Sequence, residues 1–198
     1  MNLLILFFGY LFGSFPSGYL AGRIAKGIDI RSLGSGSTGA TNVLRHIGKR
    51  AAIIVFLLDV FNGVLSILLA KYLLLHVFWQ VAIGLSTLIG HIWPVWLNWK
   101  GGKAVATGLG IFLGLSWQVG LATLGVFIIM ITLFRIVSLA SVSAALALPL
   151  IMFLSFSSSN ISLPFLIISL LAMILVIWRH RENIVRLIRG KEPRIGQP

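Results

Sequence analysis

The residues of this 198-residue chain that could do chemistry fall into three polar clusters set between long apolar runs. The first is Leu33-Gly34-Ser35-Gly36-Ser37-Thr38-Gly39-Ala40-Thr41-Asn42-Val43-Leu44-Arg45. Closely spaced glycines let consecutive backbone N–H groups turn toward one anion, hydroxyls surround them, and Arg45 adds a bidentate cation. That is the make-up of a phosphate cradle, with Ser35, Gly36, Thr41, Asn42 and Arg45 as candidate contacts. A flexible Gly/Ser connector is the plainer alternative, but a spacer has no use for Thr41, Asn42 and Arg45. The second cluster is Lys100-Gly101-Gly102-Lys103, directly before a helical stretch. Two ammonium groups meet the free N–H groups of a helix start there, which makes a second anion site. The alternative is that Lys100 and Lys103 only snorkel to a membrane interface, as Trp93, Trp96 and Trp99 suit an aromatic belt. The third cluster runs from Trp178 to Glu192. If the helix continues through it, His180 and Asn183 share a face, and a neutral imidazole there could accept a proton. Without context, a histidine at a span end is more often an interfacial residue.

Other chemistries lack their residues. The chain has no cysteine, so it offers no thiol nucleophile, thiolate metal site or disulfide. Its only acids are Asp29, Asp59, Glu182 and Glu192, and none pairs with a histidine at metal-ligand spacing. No metal and no cofactor is expected. Lys100 to Lys103 lacks Walker spacing, and no Gly-x-Ser-x-Gly elbow is present.

The elements that must position these clusters are membrane helices. With 58% hydrophobic and 10% charged residues, the chain cannot hide its apolar surface in one water-soluble core. A net charge of +12 would suggest nucleic acid in a soluble protein, but the basic residues lie in the gaps between apolar runs. They read as topology and anionic ligands, and no nucleic-acid partner is expected. Leu3 to Leu20, Ala52 to Ala70, Phe78 to Trp96, Val137 to Phe156 and Leu163 to Trp178 are of near-spanning length. No basic residue precedes Arg23, so the first run reads as a retained span and not a signal peptide. Within it, Ser14, Pro16 and Ser17 imply a locally opened helix with protein partners. The pairs Gly9/Gly13, Gly18/Gly22 and Gly110/Gly114 fit close helix packing.

Residues 104–134 are uncharged, too long for one span and short for two. Charge decides: two spans put all but one of the 16 basic residues on one side, with Lys71 opposite, whereas one span divides them evenly. The positive-inside rule favours seven transmembrane helices, N-terminus outside and C-terminus cytoplasmic. Two helices of about 15 residues would each reach only about 22 Å, so at least one helix in the 104–134 region is short or lies in a protein cleft. The fold class is an all-α integral membrane protein with one domain, 1–198.

In this order and at these span ends, the three clusters resemble the bacterial membrane glycerol-3-phosphate acyltransferases of the PlsY family, over essentially the whole chain. The family's Gly-Ser-Gly-Asn-Pro-Gly-Ala-Thr-Asn run is matched by Gly34 to Asn42 except at Ser37-Thr38, so those two positions are not indispensable. His91 to Pro94 with Lys100 to Lys103 resembles the second motif, with Ala104 where the family has glycine. His180, Asn183 and Glu192 resemble the third. The resemblance implies transfer of a fatty acyl group from acyl phosphate to the 1-position hydroxyl of sn-glycerol 3-phosphate, giving lysophosphatidic acid and phosphate. It implies no metal, acyl-CoA or acyl carrier protein. Membrane lipids are the expected surroundings, with no obligate protein partner, and the charge asymmetry puts the active site on the cytoplasmic side of what the resemblance implies is the bacterial inner membrane. Ser35 and Arg45 then belong to the active site, the Gly101-Gly102 loop holds glycerol 3-phosphate, His180 and Asn183 are functional, and Glu192 is structural.

An acyl phosphate is already activated, so proximity and charge neutralisation are the main tasks. Arg45 and Lys103 would bind the phosphates, and donors around Ser35 and Asn183 would hold the oxyanion. Either His180 or the leaving phosphate would take the hydroxyl proton. The rival reading is a transporter of an anionic phosphorylated metabolite. It needs recognition chemistry on both sides, and the stretches Lys71 to Gln80, Leu115 to Gln118 and Ser155 to Ser162 offer little.

Overall fold

The structure is a computed structural model that describes residues 2–156 and 162–196, so most of the Ser155 to Ser162 stretch lies outside the described residues. Every regular element among the described residues is helical. The chain divides into two compact units, Met1–Leu115 and Ser116–Pro198.

The first unit holds α1 (Asn2–Gly13), α2 (Ser17–Lys26), α3 (Ala40–His46), α4 (Lys49–Tyr72), α5 (Val77–Ile92) and α6 (Val105–Leu115), with single 3-10 turns at Ile30–Ser32 and Val95–Leu97. Its helices cross where glycine removes the side chain. A β-carbon on Gly13 would fall on the backbone of Thr87, and one on Gly90 on the Tyr10 carbonyl, so α1 and α5 touch backbone to backbone. Gly63 and Gly110 do the same for α4 and α6. Close approach of this kind substitutes for a hydrophobic driving force, which lipid does not supply. The Ser86 hydroxyl adds a bond to the Leu6 carbonyl at 2.7 Å. Gly9/Gly13 and Gly110/Gly114 thus pack helices as expected, whereas Gly18 and Gly22 pack a loop, lying against the Thr38 carbonyl and Ile28 to Ile30.

The first apolar run is not one continuous helix. Pro16 lacks the N–H that the ladder needs, so α1 stops at Gly13 and α2 restarts at Ser17. The freed polar groups find protein partners: the Trp96 indole donates to Ser14 Oγ at 3.0 Å and Ser17 Oγ donates to Asp59 Oδ1 on α4 at 2.5 Å. α2 ends in a Schellman turn at Gly27, φ +68°, with Gly27 N–H on the Arg23 carbonyl and Ile28 N–H on that of Gly22.

The second unit holds α7 (Trp117–Phe134), α8 (Val137–Phe156), α9 (Leu163–Arg179) and α10 (Arg181–Ile188). The uncharged 104–134 region therefore does break into two helices, at Ser116, but unequally. The 11 residues of α6 reach only about 16 Å, too short to cross the ~30 Å core unaided, while α7 has 18 residues. Five helical stretches are long and apolar enough to cross a bilayer, counting Leu3–Lys26 as one, and the count is six if the α9/α10 pair, bent by 62°, is one span.

That bend corrects the expectation of a continuing helix through His180. α9 carries no charge before its last residue, Arg179, whereas α10 carries Arg181, Glu182 and Arg186. A helix of that second composition suits an interface better than the interior of a bilayer. The residues after α10 fold back, with the Ile195 N–H bonded to the Arg135 carbonyl at 2.7 Å.

Candidate active site

In the first unit, the Gly/Ser loop is built around one side chain. Asn42, 2% exposed, sends its amide nitrogen to the carbonyls of Ile30, Leu33 and Ser37 at 2.9–3.0 Å. Its oxygen accepts the Ser35 N–H at 3.3 Å. Gly34 (φ +57°) and Gly36 (φ +64°) supply the left-handed backbone that lets the loop wrap this carboxamide. Gly36 N–H goes to the Leu33 carbonyl and Gly39 N–H to Ser37 Oγ. The Asn42 carboxamide and the Gly36 N–H are thus both engaged within the loop itself. Asparagine suits this position because its two N–H hydrogens are shared among three inward carbonyls while its oxygen accepts an N–H, a combination that a single hydroxyl donor does not supply.

Val43, fully buried, and Ala40, Leu44 and Ile47 seat α3 against Ala52 and Val55 of α4, and Arg45 comes out exposed. Lys26 Nζ caps the C-terminal end of α3 at the His46 carbonyl, 2.7 Å away. Among the described residues, the Ser35 and Thr41 hydroxyls and the Arg45 guanidinium make none of the bonds that shape the loop.

The second loop is shaped by backbone. Gly101 N–H bonds the Ile92 carbonyl and Gly102 N–H that of His91, folding the strand of loop back on the end of α5. A β-carbon on Gly101 would fall on the His91 carbonyl and one on Gly102 on the His91 ring. The ring is fixed in turn by Thr107 Oγ1 at 2.9 Å from Nδ1. The glycines therefore make room for His91, and it is Lys100, exposed, and Lys103, half-buried, that carry the charge ahead of α6. Ala104, 1% exposed, sits at φ +57°. This left-handed position explains why glycine suits it.

Arg31, missed in the sequence, joins the two loops. It grips Asp29 bidentately at 3.0 and 2.7 Å and donates to the Leu97 carbonyl at 2.7 Å. The guanidinium holds the Asp29 carboxyl below the ordinary carboxylate range. Tyr10 on α1 adds a bond from its hydroxyl to the Trp93 carbonyl at 2.8 Å. The tryptophans are thus not only a belt, since Trp96 also donates to Ser14.

His180, Asn183 and Glu192 belong to the second unit. His180 closes α9 and opens α10, its Nδ1 2.8 Å from the Val176 carbonyl. A carbonyl can only accept, so Nδ1 carries the proton and Nε2 is the basic nitrogen of the neutral ring. Glu192, 7% exposed, accepts from Ser138 Oγ at 2.9 Å, Asn183 Nδ2 at 2.7 Å and Arg186 Nε at 2.7 Å. Burial works to raise its carboxyl, but the three donors outweigh it and hold it below the ordinary range. Spacing could not reveal this set, because Ser138 lies 54 residues away. Among the described residues no group of histidines and acids could hold a metal ion.

With this geometry in hand, comparison with known proteins is informative. The family model described as glycerol-3-phosphate acyltransferase matches residues 3–190. A protein of that name from Prochlorococcus marinus (strain NATL1A) is 96% identical over the full length of both chains. One from Parasynechococcus marenigrum (strain WH8102) is 62% identical, covering 98% of this chain and 90% of its own. The crystal structure of PlsY (YgiH), an integral membrane glycerol 3-phosphate acyltransferase, in its glycerol 3-phosphate form is 37% identical. It superposes with a TM-score of 0.89 over 98% of this chain and 96% of its own. The lysophosphatidic acid form of the same enzyme matches equally well, over 95% of its own length. The all-helical fold is that of an integral membrane enzyme, and the chain belongs to the glycerol-3-phosphate acyltransferase family.

Proposed function

We propose that this acyltransferase moves a fatty acyl group from acyl phosphate to the 1-position hydroxyl of sn-glycerol 3-phosphate, releasing lysophosphatidic acid and inorganic phosphate. The observation that carries the reading is the match, over nearly the whole chain, to one enzyme solved in a glycerol 3-phosphate form and in a lysophosphatidic acid form. The two names bracket a reaction: the second molecule is the first with an acyl group added. Two cationic loops suit two phosphates, one on each substrate, and this favours acyl phosphate as donor.

Arg45, Lys100 and Lys103 neutralise the phosphates, and the Ser35 and Thr41 hydroxyls orient them. Asn42, Gly36, Gly101 and Gly102 act by shaping the two loops. His180, with Nε2 as its basic nitrogen, takes the proton of the attacking hydroxyl. The hydroxyl oxygen adds to the acyl carbonyl, and the acyl–phosphate bond breaks as phosphate departs. Asn183, oriented by Glu192, donates to the oxyanion. The enzyme lies in the bacterial inner membrane with seven crossings, N-terminus outside and the site cytoplasmic, as the charge asymmetry favours.

The test is purified protein in lipid with labelled glycerol 3-phosphate and, in separate tubes, acyl phosphate, acyl-CoA or acyl carrier protein carrying the acyl group. Labelled lysophosphatidic acid from the acyl phosphate tube alone is the expected result. Product from another donor would overturn the donor assignment, and vesicle uptake without product would favour a transporter. His180→Gln with normal turnover and an unchanged pH profile would remove His180 as the base. Because the chain has no cysteine, single introduced cysteines at Lys71 and Arg194 should label from opposite sides of sealed vesicles.

A further inference from the structure

The mechanism above leaves one acid in a membrane helix unused. Asp59 is 2% exposed, lies in the middle of α4, and accepts from Ser17 Oγ at 2.5 Å. An ionisable group in a span is costly and is retained where it does something. Ser17 begins α2 immediately after the break in the first span. The next residue, Gly18, lies under the Thr38 carbonyl, which leaves no room for a β-carbon. Thr38, 6% exposed, belongs to the loop wrapped around Asn42 that presents Ser35. On the other side of the break, Ser14 accepts the Trp96 indole N–H at 3.0 Å, and Tyr10 holds the Trp93 carbonyl at 2.8 Å. Both residues lie in the chain that leads into Lys100 to Lys103. The break is therefore the common seat of both loops, and Asp59 is the side chain that pins it to α4.

We infer that Asp59, through Ser17, is a positioning residue for glycerol 3-phosphate: it fixes the break in the first span on which both phosphate loops rest. The inference depends on the reading of those loops as the phosphate site. Packing alone would account for an apolar residue here, but not for a carboxylate whose hydrogen bond reaches the first residue after the break. Asp59 touches no reacting atom; it acts through Ser17, Gly18 and Ser14.

The experiment is steady-state kinetics on purified full-length variants, with melting temperature measured alongside. Asp59→Ala should raise KM for glycerol 3-phosphate about 10- to 100-fold, the scale on which small misplacements act, with a smaller change in KM for the acyl donor. Asp59→Asn, whose amide oxygen still accepts from Ser17, should return KM to within a few-fold of the parent. Ser17→Ala should behave like Asp59→Ala, and the double variant should be no worse than either alone, since both break one bond. Unchanged KM with only a lowered melting temperature would overturn the inference, as would additive single effects. Should Asp59→Ala not fold, Ser17→Ala and Asp59→Asn carry the same comparison. Failure of the parent protein itself to acylate glycerol 3-phosphate would instead sink the function on which the inference rests.

Discussion

The Gly/Ser loop and the Lys-Gly-Gly-Lys loop have the same sequence character, glycine beside cations, yet they use glycine differently. In the first, Gly34 and Gly36 supply positive φ; Gly34 also leaves room for the His46 ring and Asn42, whereas the space around Gly36 is open, with the Arg31 carbonyl 3.5 Å from where a β-carbon would sit. In the second, Gly101 and Gly102 supply vacancy for His91 and its carbonyl. One loop is shaped by a side chain, Asn42, the other by backbone folded on backbone. The difference teaches that glycine beside cations does not by itself mean an N–H cradle. Several of the N–H groups here, those of Ser35, Gly36, Gly39, Gly101 and Gly102, keep the loops in shape.

That contrast can be broken at four points. The largest effect should come from Gly102→Ala, because the His91 ring it would strike is held by Thr107 and cannot retreat. Turnover should fall on the order of 100-fold, with overpacking lowering stability by about 1–3 kcal/mol. Asn42→Ala comes next. It strips donors from three carbonyls and the acceptor from Ser35 N–H, costing about 2–4 kcal/mol as partly buried groups go unpaired. KM for glycerol 3-phosphate should rise more than kcat falls. Asn42→Asp, which keeps the acceptor only, should do no better. Gly36→Ala should cost only the left-handed penalty, about 1 kcal/mol, and keep turnover within several-fold. Abolished turnover in a variant with an unchanged melting temperature would show substrate contact there. Smallest, and opposite in sign, is Ala104→Gly. Relieving φ +57° should stabilise by about 1 kcal/mol, seen as a melting temperature about 2–4 °C higher.

Acid offers a milder test of the tie between the two loops. Because Arg31 holds the Asp29 carboxyl below its ordinary value of about 3.9, this contribution is complete above that value. It is lost only as pH falls through the lowered one. Binding of glycerol 3-phosphate should therefore show no step from this clamp until pH drops below about 4.

Much of this was legible in the chain. The three clusters and the opened helix at Ser14 to Ser17 follow from residue type, and the division of residues 104–134 follows from the placement of charge, both of which sequence carries directly. What spacing does not carry is the direction of a carbonyl. The sequence offers Asn42 as a phosphate contact and does not show that the Ile30, Leu33 and Ser37 carbonyls point at it. Long-range partners are equally hidden: Ser17 with Asp59 and Ser138 with Glu192 are 42 and 54 residues apart. The 62° bend at His180 was half visible, since the change from the apolar α9 to the charged α10 marks it, but helical period alone suggested continuity.

The bonds of Glu192 also set an order of events during synthesis. Ser138 leaves the ribosome 54 residues ahead of its partner, so at about 5–20 residues per second the carboxylate follows several seconds later. For most of that interval Ser138 waits alone, since Asn183 and Arg186 precede Glu192 by only 9 and 6 residues and lack the group that orients them for about two seconds at most. The second unit therefore gains its final shape only as the last few residues of the described chain emerge, and a nascent protein stalled before Glu192 would hold its helices without having finished its fold.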